Sequence, residues 1–421
     1  MISPKSHKWK VRLQQHASPV MVRLIRGVAT VTAGAIFGRT LSAIAGILLV
    51  RYFNGPELYG QYVTLMTTLA LMSNLLGLGF DTWLLREGGR EPDQLALNAR
   101  RLLIFKLIAA SILITALLIA WQQTSLNWLL IAGMIGVIAE SYIRTGHVIL
   151  HTQNRNSTVA ILQSFDALLA VVLILLLMIW PPQVAAIIVG QTVVSSIMLI
   201  VMAFLLAHYW QGPWRPLRFG NLIQSAGFFV LADVLANIYS QVHIALLAFF
   251  NNDTIVGTFR SAINLITISF LVPVAMFNVA LPMLSRPKLE RRQYYQLLIL
   301  IFTIAFLYGL AVMIGLWWFG GSVLQFVYGH KYETTIPLLT PLSIVPLFKS
   351  LSFVAVAVLL AQGAQKLRVV IQSLVVASSL VGGIIIIPRL GIDGATTTYI
   401  VTEGMLCLLY WCGAIVSLRH R

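Results

Sequence analysis

Residues 184–207 read VAAIIVGQTVVSSIMLIVMAFLLA, an apolar stretch that contains no charged side chain. A helix of about 20 apolar residues is long enough to cross the hydrocarbon core of a bilayer. Similar stretches recur along the whole chain, of which 58% is hydrophobic and only 10% is charged. The sequence therefore predicts an all-α integral membrane protein whose function is carried by polar groups between the helices.

Hydropathy and loop positions divide the chain into about 12 membrane spans, with no polar block between them long enough to form a soluble domain. The spans lie near residues 28–50, 61–84, 102–121, 127–149, 158–180, 184–207, 222–250, 255–284, 297–319, 336–360, 369–388 and 395–417. We number them 1 to 12 in this order.

The basic residues are distributed unevenly along this map. If the N-terminus is cytoplasmic, most of the 29 lysines and arginines fall in cytoplasmic segments and their helix flanks. The positive-inside rule then places both termini in the cytoplasm. The net charge of +16 is accordingly interpreted as this bias together with attraction to anionic membrane lipids, and not as a nucleic-acid-binding surface.

An internal duplication divides the chain into halves. NGPELYGQY at residues 54–62 aligns with NNDTIVGTF at residues 251–259, and LHTQ at 150–153 aligns with LLAQ at 359–362. The pattern predicts an N-terminal six-helix lobe over residues 1–210, a cytoplasmic linker over 211–221 and a C-terminal six-helix lobe over 222–421. Six spans per half make the two repeats parallel.

Local sequence predicts how the two copies of the motif begin their helices. Gly55 and Pro56 are typical of a tight turn followed by the first turn of a helix. Asp253 is predicted to start the second copy as an Asx-type cap. Tyr59 and Tyr62 are predicted to lie at the membrane interface, where aromatic residues are common.

Four motifs resemble a known family. They are NGPELYGQY at residues 54–62, GLGFDTWLLRE at 77–87, YGHKYETTIPLL at 328–339 and IPRLGIDGA at 387–395. Together with the span number and the duplication, they resemble the polysaccharide transporter family. This family comprises the lipid-linked oligosaccharide flippases, of the O-antigen type, within the multidrug/oligosaccharidyl-lipid/polysaccharide superfamily.

The resemblance implies two lobes around a central cavity lined by spans 1, 2, 7 and 8. It implies a substrate in which an O-antigen or another surface polysaccharide repeat unit is linked to undecaprenyl diphosphate. Alternating access would move this lipid from the cytoplasmic to the periplasmic leaflet of the bacterial inner membrane during lipopolysaccharide or related polysaccharide biosynthesis. Membrane lipids and other polysaccharide assembly proteins are the partners expected beside the substrate.

Three basic residues fall inside spans, namely Arg39, Arg260 and Lys349. A basic side chain at the bilayer centre costs about 2.5–3.5 kcal/mol on insertion scales, so each needs a partner or a hydrated cavity. A lipid diphosphate is an anion that guanidinium groups bind in a bidentate manner. We therefore expect Arg39, Arg260 and Lys349 to bind the diphosphate, with Arg51 receiving or releasing it at the outer end of span 1.

Acidic and amide residues suggest further roles. Asp233 and Asn237 share a helix face, and Asn264 extends the polar stripe on span 8, so the asparagines are candidates for binding sugar hydroxyls. Asp233 and Glu403 are candidates for carrying a coupling H⁺ or Na⁺. The alternatives are a helix-to-helix hydrogen-bond network and internal ion pairs. The carboxylates available for pairing with the three basic residues are Asp233, Glu403 and Asp166.

Two further predictions concern helix bending and a local ion pair. Pro273 and Pro282 should bend span 8, and Pro337, Pro341 and Pro346 should bend span 10, because proline removes a backbone donor. Glu140 and Arg144 have the spacing of a local ion pair on one helix.

Other functions leave weaker signals. A glycan polymerase or ligase would need a catalytic constellation, and His330, Lys331 and Glu333 form only a local polar cluster. No phosphate-binding glycine loop or metal-ligand spacing is present in the sequence, so we expect no enzymatic activity and no cofactor. A cation or drug exporter of the same superfamily, and a glycan-assembly protein without transport activity, remain open as alternatives.

Overall fold

The computed structural model describes residues 37–419 except for 78–79, 91, 124–127, 154, 211–233, 236–237, 240 and 285–290. Secondary structure in the described residues is helical, as predicted. In chain order the helices are α1 (37–53), α2 (Pro56–Gly77), α3 (Phe80–Arg90), α4 (Leu95–Gln123), α5 (Trp128–Thr152), α6 (Asn156–Leu177), α7 (Val184–Leu205), α8 (Gln241–Phe250), α9 (Asp253–Ile268), α10 (Leu271–Leu284), α11 (Arg291–Tyr328), α12 (Ile336–Leu342), α13 (Val345–Ala361) and α14 (Gln365–Arg419).

Predicted spans 3 to 6 each correspond to one helix, α4 to α7, whereas predicted span 2 falls on α2 and α3 and only part of predicted span 7 lies in the described residues. Six helices in the described ranges are long and apolar enough to cross a bilayer, or up to eight if two bent pairs are each one span. One of the six, α14, covers predicted spans 11 and 12 and is interrupted at Gly391, where φ is 57° and ψ is −126°. Because a positive φ suits glycine, this residue allows the chain to leave one helix and begin the next.

Spans 8 and 10 are both bent, as predicted, but the prediction that Pro337 contributes to the bend is wrong, because it lies in the first turn of α12. The axes of α9 and α10 differ by 45°, and the axes on either side of the break between α12 and α13 differ by 50°. Pro273 has no N–H to offer the carbonyl of Ser269, four residues earlier. The Tyr308 hydroxyl of α11 donates to that carbonyl oxygen at 2.7 Å. A neighbouring helix thus satisfies the acceptor that the proline leaves free.

The two copies of the duplicated motif pack directly on one another through α2 and α9. A Cβ atom added to Gly60 would lie 1.6 Å from the Asp253 carbonyl oxygen, and one added to Gly257 would lie 1.9 Å from the Pro56 carbonyl oxygen. Only glycine permits helix backbones to approach this closely. The first copy begins with the predicted turn, in which Asn54 has a φ of 52° and helix α2 starts at Pro56.

Polar contacts surround this crossing. The Thr64 hydroxyl donates to Asp253 Oδ1 at 2.9 Å. The prediction that Asp253 caps the second helix is wrong, because Asn252 is the cap and its Oδ1 accepts from the Ile255 N–H at 3.1 Å. The neighbouring asparagine reaches the exposed N–H of the first turn, which leaves the Asp253 carboxylate to bind Thr64.

The same region is bound by Tyr332, which lies in the short 3-10 segment His330–Thr335 after α11. The Tyr332 hydroxyl lies 2.9 Å from the Val50 carbonyl oxygen and 3.0 Å from the Gly55 carbonyl oxygen. The two halves of the chain are therefore joined at the end of the bundle that contains the turn between α1 and α2. The predicted linker over residues 211–221 falls outside the described residues, and the division into two lobes stays a prediction.

Candidate functional site

A cavity of about 500 Å³ lies between the two halves. Its walls come mainly from α1, α2 and α9, which occupy predicted spans 1, 2 and 8, as the resemblance implied, and predicted span 7 contributes Gln241 of α8. Each main wall is one helix face, because the lining residues recur three or four positions apart. The α2 wall consists of Tyr59, Tyr62, Val63, Met66, Thr67 and Ala70, and the α9 wall of Arg260, Asn264, Thr267 and Ile268.

Arg260 supplies a positive charge to this cavity. Its guanidinium lies beside the Tyr59 hydroxyl and interacts electrostatically with Tyr62 and Tyr328, which also line the cavity. Among the residues that the structure describes, no carboxylate forms an ion pair with Arg260. A guanidinium in such a wall can offer several N–H donors to an anion.

Tyr59 and Tyr62 line the cavity, which the sequence analysis did not predict. Tyr59 is only 2% exposed and Tyr62 is 8% exposed, so the prediction that they lie at the membrane interface is wrong. They pack as a stacked pair with ring centroids 6.4 Å apart. Their spacing of three residues, on the same face as the cavity-lining Met66, was a signal that could have predicted an inward orientation.

Amide groups extend the polar wall. The Asn264 side-chain amide donates to the Tyr59 hydroxyl at 2.5 Å. Gln241 of α8 also lines the cavity, and Gln191 of α7 exchanges hydrogen bonds with the Tyr62 hydroxyl at 3.0 and 3.2 Å. The cavity therefore combines one guanidinium with phenol and amide groups, a set suited to an anion carrying hydroxyl groups.

Arg39 and Arg51 lie at opposite ends of α1. Arg39 is exposed, and its spacing from the cavity residues Ser42 and Ala43 puts it on the same helix face. Arg51 is also exposed, but its guanidinium donates to the carbonyl oxygens of Phe326 and Val327. Since these carbonyls belong to the last turn of α11, Arg51 caps that helix and joins the two halves.

Lys349 forms an internal ion pair, one of the alternatives considered in the sequence analysis. Its ammonium lies 2.7 Å from Glu403 Oε1 and donates to the Tyr239 hydroxyl at 2.7 Å. The Tyr239 hydroxyl donates in turn to Glu403. Asp233 and Asn237, the remaining predicted site residues, lie outside the described residues.

A second buried ion pair was not predicted. Lys106 of α4 is fully buried and donates to Asp81 Oδ1 and Oδ2 at 3.0 and 2.9 Å. It also donates to the Ser141 carbonyl oxygen and the Thr145 hydroxyl, each at 2.8 Å. Because span mapping placed Lys106 at a helix flank, its partner on α3 went unnoticed.

Two local clusters follow the sequence predictions. Arg144 and Glu140 form the predicted pair at 3.3 Å, and His330 contacts Glu333 at 3.0 Å. Glu140 and Asp166 also line a smaller cavity of about 210 Å³ within the N-terminal half.

Comparison with known proteins decides the family. Residues 24–288, more than half of the chain, match the family described as polysaccharide biosynthesis protein. The chain belongs to this polysaccharide biosynthesis protein family. The resemblance recognised from the four sequence motifs is thereby confirmed. No curated protein matches the sequence.

Solved structures share the fold. The lipid II flippase MurJ, in an inward closed conformation, has a TM-score of 0.67 and 15% identity, and the match covers 90% of this chain and 86% of that one. An outward-facing multidrug resistance MATE family transporter of the MOP superfamily has a TM-score of 0.66 and 14% identity, with 93% and 96% covered. A MOP superfamily transporter from Pyrococcus furiosus has a TM-score of 0.62 and 14% identity, with 94% and 95% covered. This protein is thus a multi-pass membrane protein with the fold of the MATE transporters and MurJ.

Proposed function

We propose that this protein is a flippase that moves an undecaprenyl-diphosphate-linked oligosaccharide, an O-antigen or other surface polysaccharide repeat unit, across the bacterial inner membrane. Arg260 in the tyrosine-walled cavity between the two halves carries the proposal, because it offers an anion-binding group where both halves meet. A volume of about 500 Å³ is within the range of small-ligand sites. It suits a diphosphate and the first sugar.

The remaining site residues have places in this proposal. Arg260 and Arg39 bind the diphosphate, Asn264 and Asn237 bind sugar hydroxyls, and Lys349 adds a further positive charge. Arg51 meets the headgroup at the outer end once its contacts with α11 break. Asp233 and Glu403 are the proposed carriers of a coupling H⁺ or Na⁺.

The proposed orientation identifies the side of the membrane on which the cavity is closed. With both termini cytoplasmic, the end of the bundle that contains Asn54 and Tyr332 faces the periplasm. This end is closed by the crossing of Gly60 and Gly257 and by the hydrogen bonds of Tyr332. Rocking of the N-terminal and C-terminal lobes would break this contact to open the cavity to the periplasmic leaflet and re-form it when the cavity opens to the cytoplasmic leaflet. The polyprenyl tail would stay in the lipid.

A reconstituted flipping assay with a short lipid-diphosphate sugar tests the proposal. Arg39→Ala and Arg260→Ala should each abolish movement of the lipid while expression is unchanged. Arg39→Lys and Arg260→Lys should retain part of it, because lysine keeps the charge but not the bidentate geometry. Arg144→Ala is the matched control, since it removes an exposed arginine held in a local pair. Equal activity in all of these variants would contradict the proposal.

A further inference from the structure

The ion pair between Lys349 and Glu403 is asymmetric in its exposure. The Glu403 side chain is 1% exposed, whereas the Lys349 side chain is 18% exposed. The ammonium lies 4.8 Å from the ring centroid of Tyr239 and 5.9 Å from that of Phe270. The carboxylate therefore lies deep in the helix packing, whereas part of the Lys349 side chain reaches accessible space outside it.

The pair lies next to the wall of the central cavity. The Phe270 ring contacts the ammonium, and the next residue, Leu271, lines that cavity. Lys349 itself is not among the residues that line the cavity, so its ammonium must leave Glu403 and change rotamer to reach an anion there. Its flexible stem and three donors make such an exchange easier than it is for arginine.

The small net stability of a buried ion pair favours a functional role for Lys349 and Glu403. A buried ion pair contributes little net stability, because removing both charges from water costs about as much as their attraction returns. A neighbouring carboxylate also lowers the affinity of a lysine for another anion, since binding must break the existing pair. The apparent affinity of a site decreases when the site is competent to bind for a smaller fraction of the time.

We propose that Glu403 is an internal counter-ion that competes with the diphosphate of the substrate for Lys349. The inference rests on the proposed function and describes how the affinity of its diphosphate site is regulated. In the empty cavity Glu403 holds the ammonium, and in the loaded cavity the diphosphate replaces Glu403. Return of Lys349 to Glu403 then helps to release the lipid, so the pair limits affinity in favour of turnover.

Binding of farnesyl diphosphate to the purified full-length protein in nanodiscs tests this competition, with farnesol as the probe without charge. Glu403→Gln should tighten binding of farnesyl diphosphate at least about fivefold, the lower range of typical coupling between sites. Lys349→Met should weaken it by a similar factor. The double variant Lys349→Met/Glu403→Gln should bind like Lys349→Met alone, because Glu403 affects diphosphate binding through Lys349. Affinity for farnesol should not change.

Two further variants control for charge and folding. Glu140→Gln removes an exposed carboxylate from the N-terminal half and should leave the affinity unchanged. Tyr239→Phe removes a hydroxyl that bonds both charged groups, keeps both charges and should tighten binding by a smaller factor. This variant provides the same measurement if Glu403→Gln does not fold.

The outcomes separate the inference from the proposed function. If the wild-type protein binds farnesyl diphosphate, Arg260→Ala weakens binding and neither Glu403→Gln nor Tyr239→Phe tightens it, the pair is purely structural and the inference is wrong. If the wild-type protein does not bind farnesyl diphosphate, the proposed function fails and the inference fails with it.

Discussion

Gly60 and Gly257 occupy the same place in the two copies of the duplicated motif, and the structure packs them against each other. Each α-carbon faces the backbone of the opposite helix, so neither position has room for a methyl group. The two halves of the chain therefore meet through the same feature of each repeat.

Alanine at either glycine should weaken this contact. Gly60→Ala and Gly257→Ala place a Cβ atom within 2 Å of a carbonyl oxygen of the other helix, so we expect a loss of about 1–3 kcal/mol or more. Thermal unfolding in detergent measures the effect. Gly315→Ala is the control, because nothing lies within 4 Å of its new Cβ, and it should be neutral or stabilising by about 0.5–1 kcal/mol. A normal melting temperature for the Gly60 and Gly257 variants would contradict the close crossing.

A disulfide across the same crossing should stop transport. Thr64 Oγ1 and Asp253 Oδ1 are 2.9 Å apart, so Thr64→Cys and Asp253→Cys should cross-link in a background that carries Cys407→Ser and Cys412→Ser. Oxidation should abolish flipping of the lipid, and dithiothreitol should restore it, if this end must open in each cycle. The single cysteine variants control for the substitutions themselves. Full flipping by the cross-linked protein would show that this end stays closed.

Straightening α9 and α10 should slow the cycle. Pro273→Ala restores an N–H that competes with Tyr308 for the Ser269 carbonyl oxygen, so the bend should relax and flipping should slow several-fold with unchanged expression. Pro337→Ala is the control, since Pro337 lies in the first turn of α12, where a proline removes no helical hydrogen bond. Unchanged flipping by the Pro273 variant would remove the bend from the mechanism.

The buried pair of Lys106 and Asp81 should respond unequally to removal of each partner. Breaking a buried pair costs about 3–5 kcal/mol, and Asp81→Asn should be the worse change. It leaves the ammonium, which is 0% exposed, without a counter-charge, whereas Lys106→Met leaves a carboxylate whose side chain is 21% exposed. Unfolding in detergent compares them with Arg144→Ala, which breaks an exposed pair and should cost about 1 kcal/mol or less. Equal and small losses in all three variants would show that the buried charges do not depend on each other.

Patterns along the chain determined the elements of this fold. The apolar stretches, the prolines of spans 8 and 10 and the Gly55–Pro56 turn predicted helices, bends and a helix start that the structure contains. The spacing of Glu140 and Arg144 predicted their ion pair. These predictions succeed because hydropathy, helix periodicity and the missing N–H of proline act within one helix or one turn.

Only the tertiary structure decided which helices meet and therefore which charges pair. The sequence offered several carboxylates for the buried basic residues, and helix packing assigned Glu403 to Lys349 and Asp81 to Lys106. It also turned Tyr59 and Tyr62 inward to line the cavity with Arg260. A single helix specifies the face on which a side chain lies, but the partner on that face depends on the rotation and crossing of its neighbours.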